Sequence, residues 1–292
     1  MALMKNGSEV SAIFASNDNP KWYYGMFYFN AFLAVISTGI SLFFILTKTP
    51  RALGSYKYFL LNISLWAFGF DFYTTIVYQP KILFPAMMMC PKGLLHSRSL
   101  FIAYGAFAVI LAFYSAGAIA VLSAFGYRYA VMNDLTSKLM KKKVLIPLGI
   151  FHVVYMSPTI AFYLLSIGDR EAIEKSLIET WPGISKHFHQ GEACSALSFH
   201  VTKFPYFFLV GCVVQFTAIV PASSFLILKC FTTLNVKRHF MSSKTYKMHK
   251  QLLVTLVFQL LVPLVTLILP NTFNACVTLF EIEGLEMQKQ KV

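Results

Sequence analysis

The sequence predicts an all-α, polytopic transmembrane helix bundle with six clear spans. Three observations carry that reading. Apolar residues make up 57 % of the 292-residue chain, charged residues only 13 %, and the apolar residues gather into six long runs. Soluble domains carry about 25 % charge, so a chain this poor in charge has too little polar surface to cover its own core. An ordinary cytosolic enzyme, a disordered chain and a secreted disulfide scaffold are excluded on that ground.

Each run meets the length the bilayer demands. A spanning helix needs about 20 mostly apolar residues, because the hydrocarbon core is about 30 Å thick and a helix rises about 1.5 Å per residue. The runs cover residues 24–46, 58–78, 100–126, 144–167, 204–231 and 252–269, with Gln79-Pro80 closing the second and Pro270 the sixth. The first is too long and starts too late for a cleaved signal peptide, so it reads as an uncleaved signal anchor. Residues 1–22 then form an N-terminal segment, 23–270 the transmembrane domain and 271–292 an atypical polar tail. The tail's apolar stretch, 275–280, is too short to span and is followed by Glu281, Glu283 and Glu286. The sequence shows no internal repeat, heptad pattern or low-complexity tract.

The formal net charge of +13 is unevenly spread. The loops 48–57, 127–143 and 229–250 hold fourteen Lys and Arg against one acid, Asp134. The N-terminus, 79–99, 168–203 and the tail hold eleven against ten acids, and Asp71 lies inside the second run. Positive charge stays on the cytoplasmic side, which puts the first set of loops inside and the N-terminus outside. The charge therefore orients a membrane protein and is no sign of nucleic acid. Asn6-Gly7-Ser8 is a glycosylation sequon on the outer N-terminus, whereas Asn62-Ile63-Ser64 falls inside a run and is silent. Cys90 and Cys194 occupy the two longer outer loops, where oxidation is available. They either bridge, tying the start of the third span to the 168–203 loop, or stay two separate thiols. Cys212 and Cys230 read as packing residues.

Polar residues inside the spans need a reason. Asp71 is the only acid in any run. It reads as an ion or ligand contact, as a polar latch between helices, or as a structural aspartate bonded to Asn30 or to Ser and Thr groups, with the structural or switching role favoured. His152 reads as a satisfied core histidine, and His187, His189 and His200 lack a metal-ligand spacing. Pro147, Pro158, Pro221 and Pro263 fall inside runs and predict bends. Trp22-Tyr23-Tyr24 reads as an interfacial belt. Lys141-Lys142-Lys143 reads most simply as setting topology and touching anionic lipid, with a docking face for a cytoplasmic partner as the alternative. The sequence carries no phosphate loop, HExxH, GxSxG or paired intramembrane carboxylates; it is not read as an enzyme and calls for no cofactor.

A set of motifs then stands in a recognisable order. Thr49-Pro50-Arg51 precedes Tyr56-Lys57-Tyr58-Phe59-Leu60-Leu61-Asn62, and Trp66, Asp71, Pro80, Phe84-Pro85 and Gly93-Leu94 follow. Phe125-Gly126-Tyr127-Arg128-Tyr129 closes the third span, and Ser242-x-x-Thr245, Gln259, Pro263 and Pro270 mark the sixth. Over residues 20–270 this set resembles the nematode serpentine chemoreceptors, most closely the Srh family of the Str group. The segment around Arg128 is similar to that family's Phe-Glu-x-Arg-Tyr motif, with Gly126 and Tyr127 where an acid is usual; His249 stands where Gln is common.

The resemblance implies a seven-helix G-protein-coupled receptor architecture, of which six spans are clear and helix seven is apparently lacking. It implies a chemosensory receptor for small environmental molecules, acting in olfaction and sensory transduction through a heterotrimeric G protein. It also implies the plasma membrane, with the N-terminus extracellular, and the sensory cilium of chemosensory neurons. The partners are then the lipid bilayer, the G protein and an unknown small-molecule ligand. Roles in G-protein coupling and switching fall to Arg128, Tyr127, Thr245, Gln259 and Pro263. A six-helix small-molecule carrier or channel and a non-functional receptor remnant are the competing readings; carriers commonly carry internal repeats and broken mid-membrane helices, which this sequence does not display.

Overall fold

The computed structural model describes residues 21–48, 55–83, 86–96, 99–181, 184–185, 188, 193–273, 275–276 and 278. Asn6, Thr49-Pro50-Arg51, Phe84-Pro85, His187, His189 and the glutamates of the tail lie outside them. Seven helices appear among the described residues besides short turns: α1 (Lys21–Thr47), α2 (Tyr56–Phe72), α3 (Leu100–Met132), α4 (Lys142–Leu165), α5 (Arg170–Thr180), α6 (Phe204–Val236) and α7 (Ser243–Pro263). A wider π turn, Tyr73–Tyr78, prolongs α2, and another, Leu264–Ile268, prolongs α7. All but α5 are long and apolar enough to cross a membrane, making six candidate spans. Their outward residues fit lipid: α1 exposes Phe29, Phe32, Ile36, Ile40 and Phe43.

Four boundaries run well past the sequence reading. The third span continues to Met132, the fifth continues to Phe240, and the sixth starts at Ser243 and continues through Pro270 to Phe273. A proline ring clashes with the carbonyl four residues back. For Pro270 that residue is Thr266, which lies in the π turn, where the wider coil makes room.

The chain divides into two compact units. The first draws on the described residues of Met1–Thr38, Phe68–Phe113 and Thr159–Phe208. It contains a three-stranded antiparallel sheet of β1 (Pro80–Leu83), β2 (Met88–Pro91) and β3 (Ser195–Ala196), in that order. Pro80 pairs with Pro91 and Leu83 with Met88, while Met89 pairs with Ser195. Helix α5 packs on the sheet through Ile173 and Leu177, sharing a core with Leu83, Met88, Ile184 and Ala196. Its start is fixed by Asp169, whose carboxylate accepts from the Ala172 backbone N–H at 3.2 Å, a normal N-cap. Arg170 and Glu174 pair one turn apart on its surface.

The exit from α2 is a tight reversal. Gln79 takes a left-handed φ of 44°, and its Nε2 donates to the Thr75 carbonyl at 2.9 Å. Lys92 and Gly93 then donate their backbone N–H groups to the Tyr78 carbonyl. A Cβ on Gly93 would stand 2.6 Å from the carbonyl oxygens of both Ile76 and Val77, so the turn admits only glycine.

The second unit draws on the described residues of Gly39–Ala67, Tyr114–Pro158 and Leu209–Val292. Its core joins Tyr56 and Phe59 of α2, Val121, Ala124, Phe125 and Tyr127 of α3, and Leu256 of α7. A smaller cluster holds Met132, Cys230, Leu234 and Leu253.

The Gly93 geometry generates a prediction. Gly93→Ala sets a methyl against two backbone oxygens that cannot move independently of the π turn, and overpacking of this kind costs about 1–3 kcal/mol. The thermal midpoint of the purified variant should fall by several degrees; an unchanged midpoint would mean that the turn relocates freely.

Candidate functional site

The C-terminal part of α3 in the second unit holds the most unusual side chain among the described residues. Arg128 is only 2 % exposed, although arginine is almost never fully buried unless paired. Its guanidinium carbon lies 3.4 Å from the centre of the Tyr56 ring. A desolvated cation on an aromatic face gains about 2 kcal/mol. Tyr127 backs this arrangement: its ring stacks on Tyr56 at 5.8 Å and on Phe59 at 4.6 Å. Helix spacing puts Tyr56 and Phe59 on one face of α2, so a single helix turn supplies both rings.

The remaining neighbours of Arg128 bring no negative charge. Asp134 is the only acid among the described residues of this unit, and it pairs with Lys237 at 3.1 Å. His249 lies close enough to feel the arginine's charge. The Cys230 thiol donates to the Phe125 carbonyl at 3.7 Å. Arg128 Nε and Nη2, Tyr56 Oη and His249 Nδ1 are all buried and meet no well-aligned hydrogen-bond partner among the described residues, although Tyr56 Oη and the guanidinium lie close enough to interact. Sequence reading singled out Arg128 and Tyr127 for this region but missed the part played by Tyr56, whose only signal was its place in the aromatic string Tyr56-Lys57-Tyr58-Phe59.

The other residues given switching roles sit elsewhere in the same unit. Ser242 caps α7: its hydroxyl accepts from the Thr245 N–H at 3.2 Å and meets the Thr245 hydroxyl at 2.9 Å. Tyr246 Oη donates to Asn235 at 3.2 Å, and Arg238 lies over the Tyr246 ring at 5.4 Å. Gln259 Oε1 is buried without a partner. Pro263 ends α7 at the point where the π turn begins. A second polar centre went unremarked in the sequence. Gln215 of α6 donates to Ser115 of α3 at 2.9 Å and to the Tyr155 carbonyl of α4 at 2.7 Å, and Tyr155 Oη donates back to the Gln215 carbonyl at 2.5 Å. Its signal was a lone glutamine in an otherwise apolar run.

The first unit holds the remaining candidates. Cys90 and Cys194 form a disulfide between β2 and the residue before β3, with Cα atoms 4.2 Å apart. Asp71 is exposed on α2. The hydrogen bonds it takes part in among the described residues are to its backbone carbonyl, from Thr74 and Thr75, with no latch to Asn30 or to a neighbouring hydroxyl through its carboxylate. His152 Nδ1 lies 2.8 Å from the Leu148 carbonyl, within its own helix.

Six candidate spans, a disulfide-bridged loop and a buried arginine near the end of the third helix agree with what comparison of the whole chain finds. The sequence model of the serpentine-type seven-helix G-protein-coupled chemoreceptor Srh matches residues 18–289. The chain belongs to the Srh chemoreceptor family. No curated protein and no solved structure matches it. The match takes in most of the tail as well as the six candidate spans, a wider reach than the motifs indicate. The Srh family is one of receptors rather than enzymes, and membership brings with it the bilayer as environment and a G protein as partner.

Two predictions follow from the Srh receptor's polar contacts. Removing a native disulfide costs about 2–5 kcal/mol; Cys90→Ser, Cys194→Ser and the double variant should lower the thermal midpoint by the same amount, and additive losses would mean that the two sulfurs act separately. Gln215→Leu leaves Ser115 and the Tyr155 carbonyl without their donor. It should reduce the folded yield and the midpoint more than Thr217→Val, whose hydroxyl bonds only within its own helix.

Proposed function

We propose that this Srh receptor detects a small environmental molecule at the outer surface of a chemosensory neuron and passes the signal to a heterotrimeric G protein. The N-terminus is extracellular, with Asn6 available for glycosylation. The three lysine- and arginine-rich loops are cytoplasmic, and the receptor works in the plasma membrane of the sensory cilium. Ligand enters from outside among the second, third, fifth and sixth spans. The observation that carries the coupling assignment is Arg128, a cation kept out of water by Tyr56 and ready to leave that ring when the packing around it changes.

In this reading Arg128 and Tyr127 form the switch at the inner end of α3. Gln259 and Pro263 belong to the moving helix α7, and Thr245 holds the start of that helix. Asp71 is an intramembrane polar group with a structural or switching role. The Cys90–Cys194 bridge holds the outer loop in place above the third span. The wide turn after Pro263 supports a pivot there, because a π segment already lacks regular hydrogen-bond spacing.

Odorant-evoked calcium in transfected cells tests the reading. Arg128→Ala should abolish or strongly reduce the response without lowering surface expression, and a G-protein blocker should do the same to the unmodified receptor. A current that persists under blockade would favour a channel instead. An epitope placed before Met1 should be reached by antibody in intact cells; labelling only after permeabilisation would reverse the orientation.

A further inference from the structure

The start of α4 carries positive charge that no described acid answers. Lys138, Lys141, Lys142 and Lys143 are all exposed. Two tight turns gather them: the Lys141 N–H donates to the Lys138 carbonyl at 3.4 Å, and the N–H groups of Val144 and Leu145 donate to the Lys141 carbonyl. None of the four forms an ion pair among the described residues, because Asp134, the one acid of this unit's described residues, is engaged by Lys237. The first turn of α4 holds no acid, although cations are unfavourable at that end of a helix. These lysines abut an apolar face directly. Ile146, Ile150 and Val153 are 60 %, 56 % and 68 % exposed, and helix spacing lines them up with Lys142 and Lys143 in one stripe. Gly149 lies in the same stripe, and a Cβ there would meet nothing within 4 Å. The stripe therefore carries a notch between its branched side chains.

We propose that this end of α4 binds one anionic phospholipid. The headgroup phosphate lies among the ammonium groups of Lys141, Lys142 and Lys143, and one acyl chain runs along Ile146, Gly149, Ile150 and Val153. The juxtaposition favours a lipid over a soluble anion or an acidic protein segment. Helix α4 is long and apolar enough to cross a membrane, and Lys143 stands only three residues, about 4.5 Å of helix rise, before Ile146. Basic clusters at the end of a span attract anionic lipid in general; here the notch at Gly149 adds a seat for the chain. The site rests neither on the coupling role of Arg128 nor on which side of the membrane this end of α4 meets.

The test uses the purified full-length receptor in an uncharged detergent, titrated with phosphatidylserine or phosphatidylcholine, with bound lipid counted by native mass spectrometry. One phosphatidylserine should bind at a concentration at least tenfold below that needed for phosphatidylcholine. A lysine near an anionic surface contributes about fivefold. The triple variant Lys141→Gln, Lys142→Gln, Lys143→Gln should therefore weaken this binding at least tenfold. The triple variant Lys244→Gln, Lys247→Gln, Lys250→Gln removes the same charge from the start of α7 and should change it less than twofold. Gly149→Leu fills the notch without touching a charge. It should weaken phosphatidylserine severalfold while the thermal midpoint stays level or rises, since leucine is the better helix former. Equal binding of the two lipids, equal losses in the two triple variants, or unchanged binding in Gly149→Leu overturns the proposal. Glycerophosphoserine, the headgroup without its chains, and hexaglutamate should both fail to displace the lipid at equal concentration. Displacement by the first would make the patch a soluble-anion site, and displacement by the second a docking face for an acidic protein; either result also overturns the proposal.

Discussion

Hydrocarbon offers no hydrogen bonds, and that constraint governs nearly every local feature of this chain. An unpaired backbone group in a bilayer costs several kcal/mol, so each span must satisfy itself along its own helix. Side chains follow the same rule wherever they can. Thr47, Ser166, Thr217 and Thr266 each donate a hydroxyl to the carbonyl four residues back in their own helix. Where regularity fails, at Tyr73–Tyr78 and Leu264–Ile268, the coil widens rather than opens. The departure stays local, and the freed groups find partners nearby, as the Gln79 side chain does with the Thr75 carbonyl.

Larger polar groups divide into two kinds under this constraint. Gln215 spends its donors on two other helices and receives one in return, so its burial is compensated and it pins α3, α4 and α6 together. Arg128 is buried just as thoroughly, yet Nε and Nη2 meet no well-aligned partner among the described residues. A fully satisfied network specifies one arrangement, and a half-satisfied one leaves free energy to be gained by rearrangement or by binding. The first kind is suited to a scaffold and the second to a switch, which is why the proposed function puts its weight on α3 beside Tyr56.

The architecture was legible because the bilayer writes a strong signal: about 20 apolar residues per span cannot be mistaken for much else. What escaped was written in weaker terms. The sheet of β1, β2 and β3 comes from segments of four, four and two residues, too short for alternation to be read. Helix α5 did carry a signal, with Asp169 as cap, Glu171 in the first turn and Ile173 and Leu177 one turn apart, but it lay inside what reads as a long loop. The Cys90–Cys194 pairing was one of two open readings, because spacing alone does not choose a partner. Tyr56 was visible only as part of a motif; nothing in sequence says that its ring lies under a residue 72 positions away.

The energetics of α7 show where a switch of this kind must be held. The connection from α6 into α7 is fastened by Lys237 to Asp134, Tyr246 to Asn235 and the Ser242 cap. Asp134 is 91 % exposed, and exposed ion pairs contribute about 0–1 kcal/mol; exposed caps add about 1 kcal/mol. Contacts of that size exchange with water readily and cannot by themselves hold a helix against a competing arrangement. Past Pro263 the π turn gives the helix a place to bend without breaking a regular ladder. The contact that resists is the buried one, Arg128 on Tyr56, because moving the guanidinium means finding it another partner where Asp134, the one acid among this unit's described residues, is already paired with Lys237. Under the proposed function, the threshold for moving α7 is therefore set on α3, at the ring that covers the arginine.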